Sequence, residues 1–239
     1  MAWHPGNAVN PYESRQLLKR DRLGTAHRLG YMAAGGARDC VERDPGAAQP
    51  GLGWIARRLA AREARTLSEL SGFAHVPELV SWDGGRLRRS WLEGAPLHRA
   101  HPRDPTYFRE ALRLLRSLHA RGIVHNGTGD AANWLVDADQ RPGLVEFRFA
   151  LRMRRDSAVF RALAYDDLRD LLAVKSRLGP QRLTRRQRAL LASRPPLAAL
   201  WAWTAKPVYR LLSRRLPPPT AERVATDIPS RPSGPKERI

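Results

Sequence analysis

The stretch from Leu118 to Val136, Leu-His-Ala-Arg-Gly-Ile-Val-His-Asn-Gly-Thr-Gly-Asp-Ala-Ala-Asn-Trp-Leu-Val, constrains this chain more than any other. Before it, Phe108, Leu112, Leu115 and Leu118 recur at helical spacing, which predicts a helix over 106–121 with Gly122 in the usual stop position. After it, the runs 134–136 and 144–147 flank a turn-rich segment, Asp137 to Gly143, and predict a hairpin. Between helix and hairpin lies a loop dense in polar side chains: His125, Asn126, Asp130 and Asn133.

The same pattern reading extends to the rest of the chain. Residues 54–70 predict a second helix, with Ile55, Leu59, Leu67 and Leu70 on one face and Glu63 in the gap of that stripe. A carboxylate on an apolar face is costly unless paired, so Glu63 asks either for an inward-facing cation or for a helix rolled far enough to let it reach water. The runs 77–82 and 86–92, joined by Asp83-Gly-Gly, predict a hairpin. A short helix is expected around 12–23 and a glycine- and alanine-rich loop over 30–37. From Ala158 onward the pattern is helical, over 165–178, 184–192 and 197–216 with a break at Pro207, and Trp201 and Trp203 read as core of the last helix. The proline-rich residues 217–239 have little to bury and read as a disordered tail.

Composition narrows the class. The 239 residues are 42% hydrophobic and 27% charged, too apolar for a disordered chain. The longest apolar run, Leu197 to Trp203, is far short of the ~20 residues that span a bilayer. Cys40 is the only cysteine, which excludes an internal disulfide, and the opening residues carry no basic-then-apolar leader, so a cytoplasmic location is expected. The net charge of +19 comes from 42 basic residues, nearly all arginine. Arginine written by a GC-rich genome accounts for such a surface, and so does attraction to polyanions; the clusters 152–155 and 185–188 would then meet RNA or an anionic membrane surface. His98 and His101 stand close together but without further ligands at metal spacing.

The loop His125-Asn126-Gly127 followed by Asn133-Trp134-Leu135 resembles the catalytic loop of the protein-kinase superfamily, and in particular the small bacterial RIO-like and lipopolysaccharide-core sugar kinases. Further pieces match in order: Arg62-Glu63-Ala64 for the N-lobe helix, Leu92-Glu93-Gly94 for the passage to the hinge, and Val145-Glu146-Phe147 for the metal-binding Asp-Phe pair. Tyr165 to Leu172 and Lys206-Pro-Val-Tyr209 match in the C-terminal helices, so the resemblance runs from about Gly36 to Arg215. It implies an α+β, two-lobed kinase-like fold: residues 1–35 as an N-terminal extension and start of the N-lobe, 36–94 as a small β-rich N-lobe, 95–216 as a helical C-lobe, then the tail 217–239. It implies enzymes that move the γ-phosphate of ATP, with Mg2+, onto a protein Ser/Thr or a lipopolysaccharide-precursor sugar, in the cytoplasm or peripherally at the inner membrane. Glu63, Asn133 and Glu146 would be the cofactor-binding positions, with Asn133 and Glu146 on the metal and His125 structural.

Three departures stand against turnover. Gly127 occupies the place of the Asp that orients the attacking hydroxyl, leaving Asp130 as the nearest substitute base. Glu146 replaces the metal-binding Asp. No lysine lies between Lys19 and Lys175, so the strand lysine that pairs with the helix Glu is missing; alignment puts Glu42 there, with Arg43 reaching that face only if the register slips by one, and Arg38, Arg43 or another arginine is expected to pair with Glu63. The glycines of 29–36 lack the Gly-x-Gly-x-x-Gly spacing and read as a plain flexible loop. The expectation is a pseudokinase, with an atypical active kinase or a basic adaptor as alternatives.

Overall fold

The computed structural model describes residues 14–33, 36–178 and 183–193. β1 (Ser14–Asp21), β2 (Gly24–Ala33) and β3 (Gly36–Asp44) form an antiparallel meander, continued by the hairpin β4 (Leu79–Trp82) and β5 (Leu87–Ser90) into a five-stranded sheet of order β1-β2-β3-β5-β4. The helix expected around 12–23 is instead β1 and the turn after it. Leu17, Leu18 and Leu23 do not continue into a longer helical stripe, and β2 supplies hydrogen-bond partners along the whole of β1, with an irregularity between Leu17 and Lys19. The loop expected over 30–37 shrinks to a hairpin tip, because β2 runs on to Ala33 and β3 begins at Gly36. The turn between β1 and β2 needs its glycine: Gly24 has φ 121°, and a Cβ there would lie 2.2 Å from the Asp44 carbonyl oxygen.

α1 (Gly53–Glu69) packs on the face of the sheet that carries Leu87, which lies against Ala60 and Ala64. Its buried side is Ala56, Ala60, Glu63, Ala64 and Leu67, a stripe turned away from Ile55 and Leu59, which stay half-buried. Alanines let the helix backbone come close to the strands, so here a small side chain marks the core better than a large one. In the β4–β5 turn, Asp83 accepts hydrogen bonds from the Gly85 and Arg86 amides, as its Asp-Gly-Gly sequence predicts.

The second half is mostly helical. β6 (Ala95–Pro96) and α2 (Leu97–Ala100) lead to α3 (Tyr107–Ala120), then β7 (Ile123–Val124), β8 (Trp134–Val136), β9 (Pro142–Leu144), β10 (Leu151–Arg152), α4 (Ala158–Leu178) and α5 (Arg185–Ala192). The strand expected over 144–147 ends at Leu144, and Phe147–Phe149 form a 3-10 turn. One core joins α1's last turn to α3, α4 and the β8–β9 hairpin through Leu67, Leu70, Leu115, Leu118, Trp134, Phe147 and Leu171. Gly122 ends α3 at φ 76°, with a Cβ position only 2.6 Å from the Met153 carbonyl oxygen. Thr184 and Gln187 close a capping box at the start of α5. No helix among the described residues is long and apolar enough to cross a membrane. The helix expected over 197–216, with Trp201, Trp203 and the Lys206–Tyr209 match, lies outside the described residues, as do the tail 217–239 and residues 1–13.

Candidate functional site

The loop after β7 hangs on one carboxylate. Asp167 of α4 accepts from the His125 amide (2.7 Å) and the Asn126 amide (2.8 Å), and its other contact is His119 Nε2 at 3.2 Å. Thr128 Oγ1 donates to the Asp167 carbonyl at 2.7 Å. His125 is wholly buried, edge-on to Phe147 with centroids 4.9 Å apart, and its Nε2 donates to the Val145 carbonyl at 3.0 Å. Burial pushes its pKa below the usual imidazole value, so it stays neutral and holds the loop to the β9 side. Asn126 sits at φ 60° and donates to Phe149, while Asn133 Nδ2 donates 2.9 Å to the Gly127 carbonyl. Trp134 Nε1 reaches the Thr128 carbonyl.

Most of these hydrogen bonds position backbone, and at the centre of the loop Gly127 has no side chain to present. Asp130 is exposed, and its Oδ1 accepts from the Ala132 amide at 2.9 Å, capping the turn Ala131–Asn133. Its amide, not its carboxylate, faces Gly127, donating to that carbonyl at 3.3 Å. The structure gives Asp130 a capping contact within the turn that follows Gly127.

Across the cleft, a buried charge network replaces the expected strand-lysine pair. Arg43 of β3 places Nε 3.3 Å from Glu63 and Nη2 2.9 Å from both oxygens of Glu146. The partner of Glu63 expected from the sequence is thus Arg43, joined by Arg89 of β5 at 3.6 Å. Arg43 pairs across the sheet with Ala26 and Leu87, so its side chain points to α1, whereas Glu42 points to the other face and is held by Arg88 at 2.9 Å. The alignment that put Glu42 in the lysine place is off by one residue, and Arg43 takes that place.

Sequence reasoning missed three members of this network. Arg148, one residue past Phe147, is 1% exposed and pairs with Asp21 at 2.8 Å and with Glu146 at 3.1 Å. Lys19, which nothing in the sequence places beside α1, comes from β1 to within 3.4 Å of Asp21 and 4.0 Å of Glu146. It enters from the first strand and not as the β3 lysine. The only available signal was the run Lys19-Arg20-Asp21 ahead of a glycine turn, which does not announce a site. Glu146 itself sits at φ 71°, a left-handed conformation that costs about 1 kcal/mol or more in a non-glycine residue. Arg43 and Arg148 hold its carboxyl far below the ordinary carboxylate range, against the opposing effect of burial.

Two roles expected from the sequence meet this geometry differently. Glu63 makes the helix-to-strand ion pair. Glu146 and Asn133, expected to share Mg2+, do not fit the ion as arranged: the Glu146 carboxylate lies among three cations, and Asn133 turns its amide nitrogen to Gly127. Among the described residues no three His, Cys, Asp or Glu side chains cluster as metal ligands. Of the arginine clusters, Arg152 pairs with Glu69 and Arg154 with Asp156, while Arg185, Arg186 and Arg188 are exposed on α5.

A five-stranded antiparallel sheet with one helix against it, a short passage through Glu93 and Gly94, and a helical second half holding the loop at 125–133 together define a two-lobed, protein-kinase-like α+β fold. Solved structures agree with that class. The chain superimposes on a Rio2 kinase from Chaetomium thermophilum with a TM-score of 0.55 and 16% identity, over 92% of this chain and 74% of that one. A second structure, the Rio2 kinase-ADP/Mg2+-phosphoaspartate complex from the same organism, gives the same score and identity over 85% of this chain and 69% of that one. At this identity the likeness shows the fold alone, a two-lobed kinase-like one. No protein-family model matches the sequence, and no curated protein matches it.

Proposed function

We propose that this chain is a pseudokinase: a kinase-like protein that retains a nucleotide cleft and has absent or strongly reduced phosphoryl transfer. The observation that carries the reading is the catalytic loop, held rigid by Asp167 and Asn133 around a residue, Gly127, that cannot accept a proton. Asp130 supports it further, because its carboxylate is committed to the Ala132 amide. Catalytic groups that act together are lost non-additively, so one missing base already removes most of the rate. Any acceptor for residual transfer would be a hydroxyl, of a protein Ser/Thr or of a lipopolysaccharide-precursor sugar.

The test is ADP release from ATP, with and without hydroxyl acceptors, by the natural chain and by a variant carrying Gly127→Asp, Arg43→Lys, Glu146→Asp and Arg148→Gly. The natural chain is expected at background and the folded variant above it. Turnover by the natural chain that disappears in Asp130→Ala would overturn the reading in favour of an atypical active kinase.

A further inference from the structure

The charges of the cleft do not balance. Among the described residues, Lys19, Arg43, Arg89 and Arg148 meet only the carboxylates of Asp21, Glu63 and Glu146. Arg62 adds a further cation, donating to the Arg148 carbonyl at 3.0 Å. The Nε–H groups of Arg43, Arg89 and Arg148 face carboxylate oxygens of Glu63, Glu63 and Glu146 at 3.3, 3.6 and 3.1 Å, so what is left over is positive charge. The excess reaches the surface at Lys19, whose side chain is 19% exposed where the others are nearly closed off. A divalent cation placed at Glu146 would join three cations already within 4.0 Å of that carboxylate. An anion placed there would meet unmatched positive charge, and guanidinium groups suit phosphate oxygens in particular.

We propose that this cleft takes the phosphate groups of a nucleoside di- or triphosphate without a divalent metal, the guanidinium groups of Arg43 and Arg148 and the ammonium of Lys19 supplying the charge that Mg2+ would otherwise bring. The inference rests on the reading of the cleft as a nucleotide site, and it makes Glu146 a counter-charge for arginines instead of a metal ligand. It also separates this cleft from the ADP/Mg2+ arrangement named for the Rio2 complex.

Calorimetric titration of the full chain with ADP, once in EDTA and once with excess Mg2+, tests it. Binding is expected in EDTA, at least as tight as with Mg2+, and about tenfold weaker in Lys19→Met. Glu146→Gln is expected to keep or tighten binding. Because that substitution uncovers buried guanidinium groups and can unfold the chain, the Lys19→Met comparison, made at the rim, stands independently of it. Binding that requires Mg2+ and disappears in folded Glu146→Gln overturns the metal-free site and leaves the nucleotide cleft standing. Unchanged affinity in Lys19→Met overturns the part given to Lys19. No binding in either buffer overturns both the inference and the nucleotide cleft on which it rests.

Discussion

Arg148 and Asp21, 127 residues apart in sequence, form a two-bonded ion pair in which Nη2 donates to Oδ2 at 2.8 Å and Nη1 to Oδ1 at 3.3 Å, with both side chains 1% exposed. The pair ties the tip of the first hairpin to the turn after Glu146, and so ties the sheet to the helical half. Removing one partner leaves a buried charge uncompensated. Arg148→Met is expected to cost about 3–5 kcal/mol of stability. The same change in an Asp21→Asn background is expected to cost clearly less, which a double-mutant cycle in urea would measure; additive losses would contradict the pairing.

Asp167 should govern the order of the loop at 125–133. Its carboxylate takes the His125 and Asn126 amides, and hydrogen bonds to a charged acceptor contribute roughly 1.5–3 kcal/mol each. In Asp167→Ala, hydrogen exchange at those two amides is expected to accelerate well beyond that of amides in α1. Uniform acceleration throughout the chain would mean that Asp167 supports the fold as a whole and not the loop in particular.

Acid should weaken the chain in two stages. Burial holds the folded His125 below the ordinary imidazole value of about 6.5, so the unfolded chain takes up its proton first. Its contribution is present above that value and is lost as pH falls toward the lower native one. Glu146 and Asp21 are also held below the ordinary carboxylate range by the arginines beside them, against the opposing effect of burial. Their contributions are complete above that range and disappear as pH drops through the native pKa values. The denaturation midpoint is therefore expected to fall first below about pH 6.5 and more steeply below about pH 4.5. His125→Gln should remove the first stage only.

Cys40 should be silent in the native state. It is 1% exposed on β3, and burial pushes its thiol up to about 11. Thiolate is the reactive form, so labelling by a disulfide reagent near pH 8 is expected to follow unfolding, with its rate rising in urea along the unfolding curve. Rapid labelling of the folded chain would show that the outer face of β3 opens.

What the sequence determined by itself is local. Helical spacing and Gly122 mark α3, Asp83-Gly84-Gly85 marks the β4–β5 turn, Thr184 with Gln187 marks the start of α5, and the apolar stripe of α1 already isolates Glu63 as a charge in need of a partner. These features follow from dihedral preference and from hydrogen bonds that close within a few residues. The fold class entered through resemblance, because His125-Asn126-Gly127 followed by Asn133-Trp134-Leu135 looks like the kinase-superfamily loop. β1 escaped because its hydrogen bonds belong to β2, and nothing within Ser14–Asp21 says so. Only the tertiary structure decided which of many arginines meets Glu63, since the choice between Glu42 and Arg43 turns on a one-residue register against β2 and β5. It alone brought Lys19, Asp21, Glu146 and Arg148 together, because an ion pair between residues more than 100 positions apart depends on how the sheet closes over the helical half, and charge carries no signature in sequence of the partner it will find.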